Sequence, residues 1–168
     1  WMNPDGSFHQ YDKRHLFTMG DEHKSYTPGQ ERVIIDFKGW KFILMICYDL
    51  RFPAWFKNNF DGENLDYDVL LNVSNWPAVR TPVWDVLLKA RAIENQAYFI
   101  ASNRVGEDGK ELAHIGHSQF VDYKGNVMSM AKDNVEETIS TTLSYQGLQD
   151  FREKFSVYRD WDRIQLIQ

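Results

Sequence analysis

Trp40-Lys41-Phe42-Ile43-Leu44-Met45-Ile46-Cys47 is an apolar run interrupted by a single lysine. It reads as a strand buried on both faces, because a strand with one wet face would alternate polar and apolar residues. Residues 32–37 form a strand-like run just before it, with Lys38-Gly39 as the turn between them. Residues 68–73 form a second buried strand, which opens into the loop Ser74-Asn75-Trp76-Pro77. A short helix is expected over 54–59, closed by Asp61-Gly62. The clearest helix starts at Thr81, read as its N-cap, with Pro82 at the first position and Asp85 in the first turn, and it runs to about Gln96. Val83, Val86, Leu87, Ala90, Ile93 and Ala97 form its expected apolar stripe.

A third buried strand, 97–103, follows almost without a loop, and then a turn over 106–109. Strands over 117–123 and 126–131 flank Lys124-Gly125 as a hairpin, 137–143 is a further strand, and 148–155 is a polar helix. Strands alternating with helices, the strands continuously apolar, indicate an α/β domain with its sheets covered by helices. No low-complexity tract or internal repeat divides the chain, so 1–168 is read as one domain.

At the start, Trp1-Met2-Asn3-Pro4-Asp5-Gly6 is a strong turn sequence followed by a strand-like run over 7–11. Only Trp1 and Met2 precede that turn, whereas a hairpin arm needs several residues. The expectation is therefore a domain whose N-terminal portion is missing.

Of the 168 residues, 43% are hydrophobic, enough for one sizeable core. The formal charge of -5 comes without any Lys/Arg-rich run, which argues against a nucleic-acid partner and for a small molecule or a protein partner. No apolar stretch approaches the ~20 residues that cross a bilayer. The single cysteine excludes an internal disulfide and favours a reducing compartment, so a cytoplasmic location is expected.

Free cysteine is often a plain core residue, but Cys47 ends a buried strand and is followed at once by Tyr48-Asp49-Leu50-Arg51-Phe52-Pro53, whose polar members cannot continue that strand inside a core. A rigid strand end that opens into a turn is where a nucleophile can be both fixed and reached. Its working form is the thiolate, which requires a nearby cation or base.

Tyr11-Asp12-Lys13-Arg14-His15-Leu16-Phe17 and the Cys47 segment resemble the lysine and cysteine motifs of the nitrilase superfamily, the carbon–nitrogen hydrolases. Leu70-Leu71-Asn72-Val73-Ser74-Asn75-Trp76-Pro77 resembles the strand and loop beside that family's site, and Lys89-Ala90-Arg91-Ala92-Ile93-Glu94-Asn95 its following helix. The resemblance implies a four-layer αββα sandwich with Cys47 as nucleophile and Lys13 as its cationic partner. It also implies a second, orienting glutamate at Glu22 and an oxyanion hole formed by Lys13 and the backbone N–H of Tyr48. The family's first glutamate, its general base, would lie upstream of the lysine motif, and Glu22, Glu31 and Glu63 do not match it.

The wording of these motifs is most similar to the ω-amidase branch, which implies hydrolysis of 2-oxoglutaramate or 2-oxosuccinamate to a 2-oxo acid and ammonia. Asn75, Trp76 and Arg51 are the expected substrate contacts, with Arg80 a second nominee for the substrate carboxylate. Another carbon–nitrogen hydrolase, acting on an N-carbamoyl compound, a nitrile or a deaminated thiol amide, is the alternative within the enzyme class. A truncated, non-catalytic scaffold is the alternative outside it. The resemblance implies a homodimer or larger assembly and no cofactor. His114-Ile115-Gly116-His117 offers two histidines without a third ligand, a poor metal site. Trp55, Trp76 and Trp84 line a pocket or belong to the core.

Overall fold

The structure, a computed structural model, describes residues 1–166. Strands β1 (Ile34–Phe37), β2 (Trp40–Ile46), β3 (Val69–Ser74), β4 (Tyr98–Asn103), β7 (Gln119–Val121) and β8 (Val127–Met130) form one sheet in the order β1-β2-β3-β4-β7-β8. The three central strands are parallel, with Ile43 opposite Leu70 and Leu70 opposite Phe99, and the outer pairs are antiparallel. Lys38 and Gly39 both take positive φ between β1 and β2, the geometry of a tight hairpin turn. Strands β5 (Val105–Glu107) and β6 (Ala113–Ile115) form a separate small hairpin.

Helix α1 (Thr81–Asn95) lies against β4 and β7 and covers one face of the sheet. Ile43, Met45, Leu70, Phe99 and Ala101 point into that layer and meet Trp84, Leu88 and Ala92. Helix α2 (Tyr145–Lys154) covers only one end of the opposite face, where Leu148 meets Val69 and Tyr98. Toward the other end of that face Leu44, Ile46 and Leu71 are half-buried and Val73 is 53% exposed. Among the described residues no helix is long and apolar enough to cross a membrane.

Several local expectations are corrected. Residues 54–59 form a turn rather than a helix, because Asn58 spends its side chain on Tyr67 N–H, Tyr67 O and Asn95 O, long-range bonds that replace a helical ladder. Residues 137–143 pair with no strand; they lead to α2, and Leu143 packs near Tyr98. At the start, the turn closes as foreseen, but 7–11 makes a single bridge, Met2 with Phe8, not a strand. The turn expected over 106–109 begins later, because Val105–Glu107 pairs with β6 and Asp108 Oδ1 accepts the N–H groups of Lys110 and Leu112.

The α1 boundary and its stripe also differ. Arg80, not Thr81, is the N-cap, because a short 3-10 turn over Ala78–Arg80 runs directly into the helix. Val83, Val86 and Ile93 are exposed, whereas Trp84, Leu88, Arg91, Ala92 and Asn95 face the core. Two polar residues sit on that inner face because each finds a partner there: Arg91 Nε donates to Leu50 O and Asn95 Oδ1 accepts Asn58 N–H.

Candidate active site

The carboxyl ends of the parallel strands β2, β3 and β4 open on one side of the sheet, the usual place for a site in an α/β fold. β2 stops at Ile46 because Cys47 takes φ 46°, a left-handed conformation that turns the chain into a 3-10 helix over Cys47–Arg51. Cys47 N–H donates to Asn72 Oδ1 at 2.8 Å, so the strand next door fixes the bend. The N–H of Tyr48 falls in the first turn of that helix, where the helix itself offers no acceptor.

Burial pushes the Cys47 thiol above its ordinary pKa; the Asn75 N–H and the Lys13 ammonium act in the opposite direction, and Glu22 reinforces the rise. The thiol is therefore protonated at neutral pH and needs a base to become a nucleophile. Lys13 Nζ donates to both oxygens of Glu22, at 2.6 and 2.9 Å, and Glu22 Oε2 also accepts Phe17 N–H at 2.7 Å. Asp21, its neighbour, pairs instead with Lys24.

Cys47, Lys13, Glu22, Tyr48, Asn75, Trp76, Arg51 and Arg80 all line one open cleft of about 1510 Å³. Trp55 and Trp84 are buried in the core and do not line it. His114 lines the cleft, whereas His117 is held between Asp85 and Asp133. Among the described residues no group of three or more His, Cys, Asp or Glu side chains is arranged to hold a metal ion.

Three residues the sequence reading passed over build the frame. Asp49, fully buried, accepts Tyr11 Oη–H, His15 N–H, His15 Nδ1 and Ile46 N–H at 2.8 to 3.2 Å. Its donors flank Lys13 on both sides and Cys47 on one, so a single carboxylate ties the lysine segment to the cysteine turn. Asn72, polar in the middle of an apolar strand, holds the Cys47 backbone; its type at that position was the available signal. Asn103, at the end of β4, holds Trp76 by both its N–H and its carbonyl.

The carbon–nitrogen hydrolase family model matches residues 1–153. Omega-amidase YafV of Escherichia coli (strain K12) is 44% identical over 165 residues, which cover 98% of this chain and 62% of that protein. The 2-oxoglutaramate amidase of Bacillus subtilis (strain 168) is 36% identical over 153 residues, covering 90% of this chain and 56% of that one. The crystal structure of XC1258 from Xanthomonas campestris, described as a CN-hydrolase superfamily protein with an arsenic adduct in the active site, superimposes with a TM-score of 0.95 at 43% identity. That match covers 99% of this chain and 63% of XC1258. The chain thus spans less than two thirds of the length of each of these relatives.

Proposed function

We propose, on the premise that this chain belongs to the carbon–nitrogen hydrolase family, that it hydrolyses a small carboxamide through a thioester on Cys47. The observation that carries the reading is the gathering of Cys47, Lys13 and Glu22 in one cleft at the carboxyl ends of the parallel strands. Attack of the sulfur on the amide carbonyl creates an oxyanion, which in this reading the Lys13 ammonium and the Tyr48 N–H receive. Collapse releases ammonia and leaves an acyl-sulfur bond, which water then hydrolyses to the acid.

One carboxylate takes the thiol proton, delivers it to the leaving amine and later activates water. Glu22 is already engaged by Lys13 and Phe17 N–H, so its role is to hold Lys13. The family resemblance assigns the base to a different glutamate, upstream of the lysine motif. Support for the αββα stacking comes from the half-open apolar face around Ile46 and Val73. The exposed Val83, Val86 and Ile93 of α1 support association of copies, to be read by light scattering. The free Cys47 thiol fits a reducing, cytoplasmic setting.

The names of the relatives direct the substrate reading to an ω-amide such as 2-oxoglutaramate or 2-oxosuccinamate, with Asn75, Trp76 and Arg51 at the cleft wall. The test is ammonia release from 2-oxoglutaramate by the full-length gene product, lost in Cys47→Ala and in Lys13→Ala. Activity that survives Cys47→Ala overturns the proposal. A panel of N-carbamoyl compounds, nitriles and amides compared by kcat/KM separates this activity from others in the family.

A further inference from the structure

The last residue of β3 carries a hydroxyl that the fold leaves without a partner. Ser74 Oγ is buried, and among the described residues it is the one buried hydroxyl that makes no hydrogen bond. Other hydroxyls at this end of the sheet are engaged: Ser118 Oγ accepts Asn103 N–H and donates to its carbonyl, and Thr81 Oγ1 donates to Ala78 O. A buried hydroxyl without a partner is destabilising. Such a group points to an acceptor that the resting state does not offer.

The backbone fixes where this hydroxyl stands. Ile46 lies opposite Val73 in the parallel register of β2 and β3, so Cys47 and Ser74 follow as the next neighbours across the two strands. Ser74 shares a face of β3 with Asn72, because successive strand side chains alternate, and Asn72 Oδ1 already holds the Cys47 N–H. The Ser74 carbonyl accepts Arg104 N–H, and Asn103 clamps Trp76 two residues on, which keeps the serine in place. Ser74 and Cys47 line the same cleft. As donors toward ionised sulfur, the Ser74 hydroxyl and the Asn75 N–H both act to lower the Cys47 pKa, against the effect of burial. A thiol sulfur is a weak acceptor and a thiolate a strong one, so the hydroxyl gains its partner only when the sulfur is charged.

We propose that Ser74 is a further catalytic residue, whose Oγ–H turns onto the Cys47 sulfur when that sulfur is an anion and leaves it when the sulfur is a thiol or a thioester. This rests on the thioester reading of Cys47 and goes beyond it by assigning a donor to the sulfur itself, not to the carbonyl oxygen. Charge appears on the sulfur twice in that cycle. It appears first when the thiol proton passes to the carboxylate base, before the carbon–sulfur bond forms and ammonia departs. It appears again when water adds to the acyl carbon, gives its proton to the same base, and the carbon–sulfur bond breaks with its electron pair returning to sulfur. Ser74 thus assists the nucleophile of the first step and the leaving group of the second. The other titratable groups nearby are Lys13 and Glu22, paired with each other, and Asp49, held by its own donors; Arg51, Arg80 and His114 line the same cleft. All of them remain in Ser74→Ala, so a difference between its pH profile and that of wild type belongs to the hydroxyl.

The experiment follows alkylation of Cys47 by iodoacetamide across pH in the full-length protein, read by mass spectrometry of the Cys47 peptide, for wild type, Ser74→Ala and Ser74→Thr. Loss of the donor raises the thiol pKa by about one unit. The thiolate of higher pKa is also the stronger nucleophile, with a Brønsted slope of about 0.4–0.5. Ser74→Ala is therefore alkylated about three- to fourfold more slowly below both pKa values, and the gap closes as the wild-type sulfur ionises. Ser74→Thr keeps the hydroxyl and follows wild type. A rate ratio that stays constant with pH, coincident profiles for all three proteins, or a threonine profile that follows alanine overturns the proposal. Ammonia release from amides, measured in parallel, separates this from the reading beneath it. A pH-dependent gap in a protein that hydrolyses no amide leaves Ser74 as the thiolate donor and removes the thioester cycle; no gap in a protein whose hydrolysis depends on Cys47 does the reverse.

Discussion

At the scale of the residue, the chemistry turns on how burial and two charges set one thiol. Burial raises the Cys47 pKa, the Lys13 cation lowers it and the Glu22 anion raises it further. Only the thiolate reacts, and below the pKa its fraction falls tenfold for each unit by which the pKa exceeds the pH. Lys13→Met should therefore slow alkylation of Cys47 by iodoacetamide at pH 7.5 by several-fold. Glu22→Gln should speed it, because an opposing anion is gone. The same Glu22→Gln should nonetheless lower amide hydrolysis, since Lys13 loses one of its two anchoring oxygens and the negative charge behind the other. Alkylation that slows in Glu22→Gln would show that Glu22 acts on the sulfur in some other way. That Cys47 and Lys13 share one cleft was legible in the sequence because each sits in a contiguous motif, one of them a polar turn directly after a buried strand. Asp49 was not, because its partners Tyr11 and His15 lie 38 and 34 residues away and nothing local announces such a pairing.

At the scale of the element, the central strands β2, β3 and β4 were readable from unbroken apolar runs and the β7–β8 hairpin from its Lys124-Gly125 turn, whereas 7–11 and 137–143 were misjudged because pairing rather than composition decides there. The α1 stripe shows the limit. Valine and isoleucine at helical spacing suggested one face, but the face that packs is set by Trp84 and Leu88 together with two polar residues whose partners lie on other elements. Leu88→Ala should thus cost about 2–5 kcal/mol, while Val86→Ser should stay within about 0.5 kcal/mol for single chains at a dilution where copies do not associate, as for other exposed positions; urea denaturation of each variant measures the difference. A large loss in Val86→Ser would mean that the exposed stripe is covered in the native protein. The link between the lysine segment and the cysteine turn makes a companion prediction. Asp49→Asn keeps one acceptor oxygen and sets an amide N–H₂ against groups that now donate, so stability should fall by about 3 kcal/mol. Hydrolysis should fall beyond that loss, because Lys13 and Cys47 are no longer held to one carboxylate.

At the scale of the whole molecule, the sheet separates its work between two ends. The carboxyl ends of β2 and β3 hold the sulfur and the Trp76 loop, while the opposite ends of β3 and β4 are bound by one arginine from the far end of the chain. Arg152 Nη1 donates to Asp68 Oδ1 at 2.6 Å, Nη2 to Tyr67 O at 2.9 Å and Nε to Gln96 O at 3.0 Å. Both Arg152 and Asp68 are buried, and the other Asp68 oxygen accepts Lys41 N–H from β2. Helix α2 is thereby fastened to three strands at once, with Leu148 as its apolar anchor. Arg152→Met removes a cation whose partner remains buried and charged, an arrangement that costs about 3–5 kcal/mol. The thermal midpoint should drop by several degrees, while kcat of the folded fraction stays near wild type, because the clamp lies at the opposite strand ends from Cys47. Adding Asp68→Asn should recover part of the loss, since the orphaned charge is then gone, and the double-mutant cycle gives the coupling directly. A variant that keeps its midpoint but loses kcat would contradict this division between the two ends of the sheet.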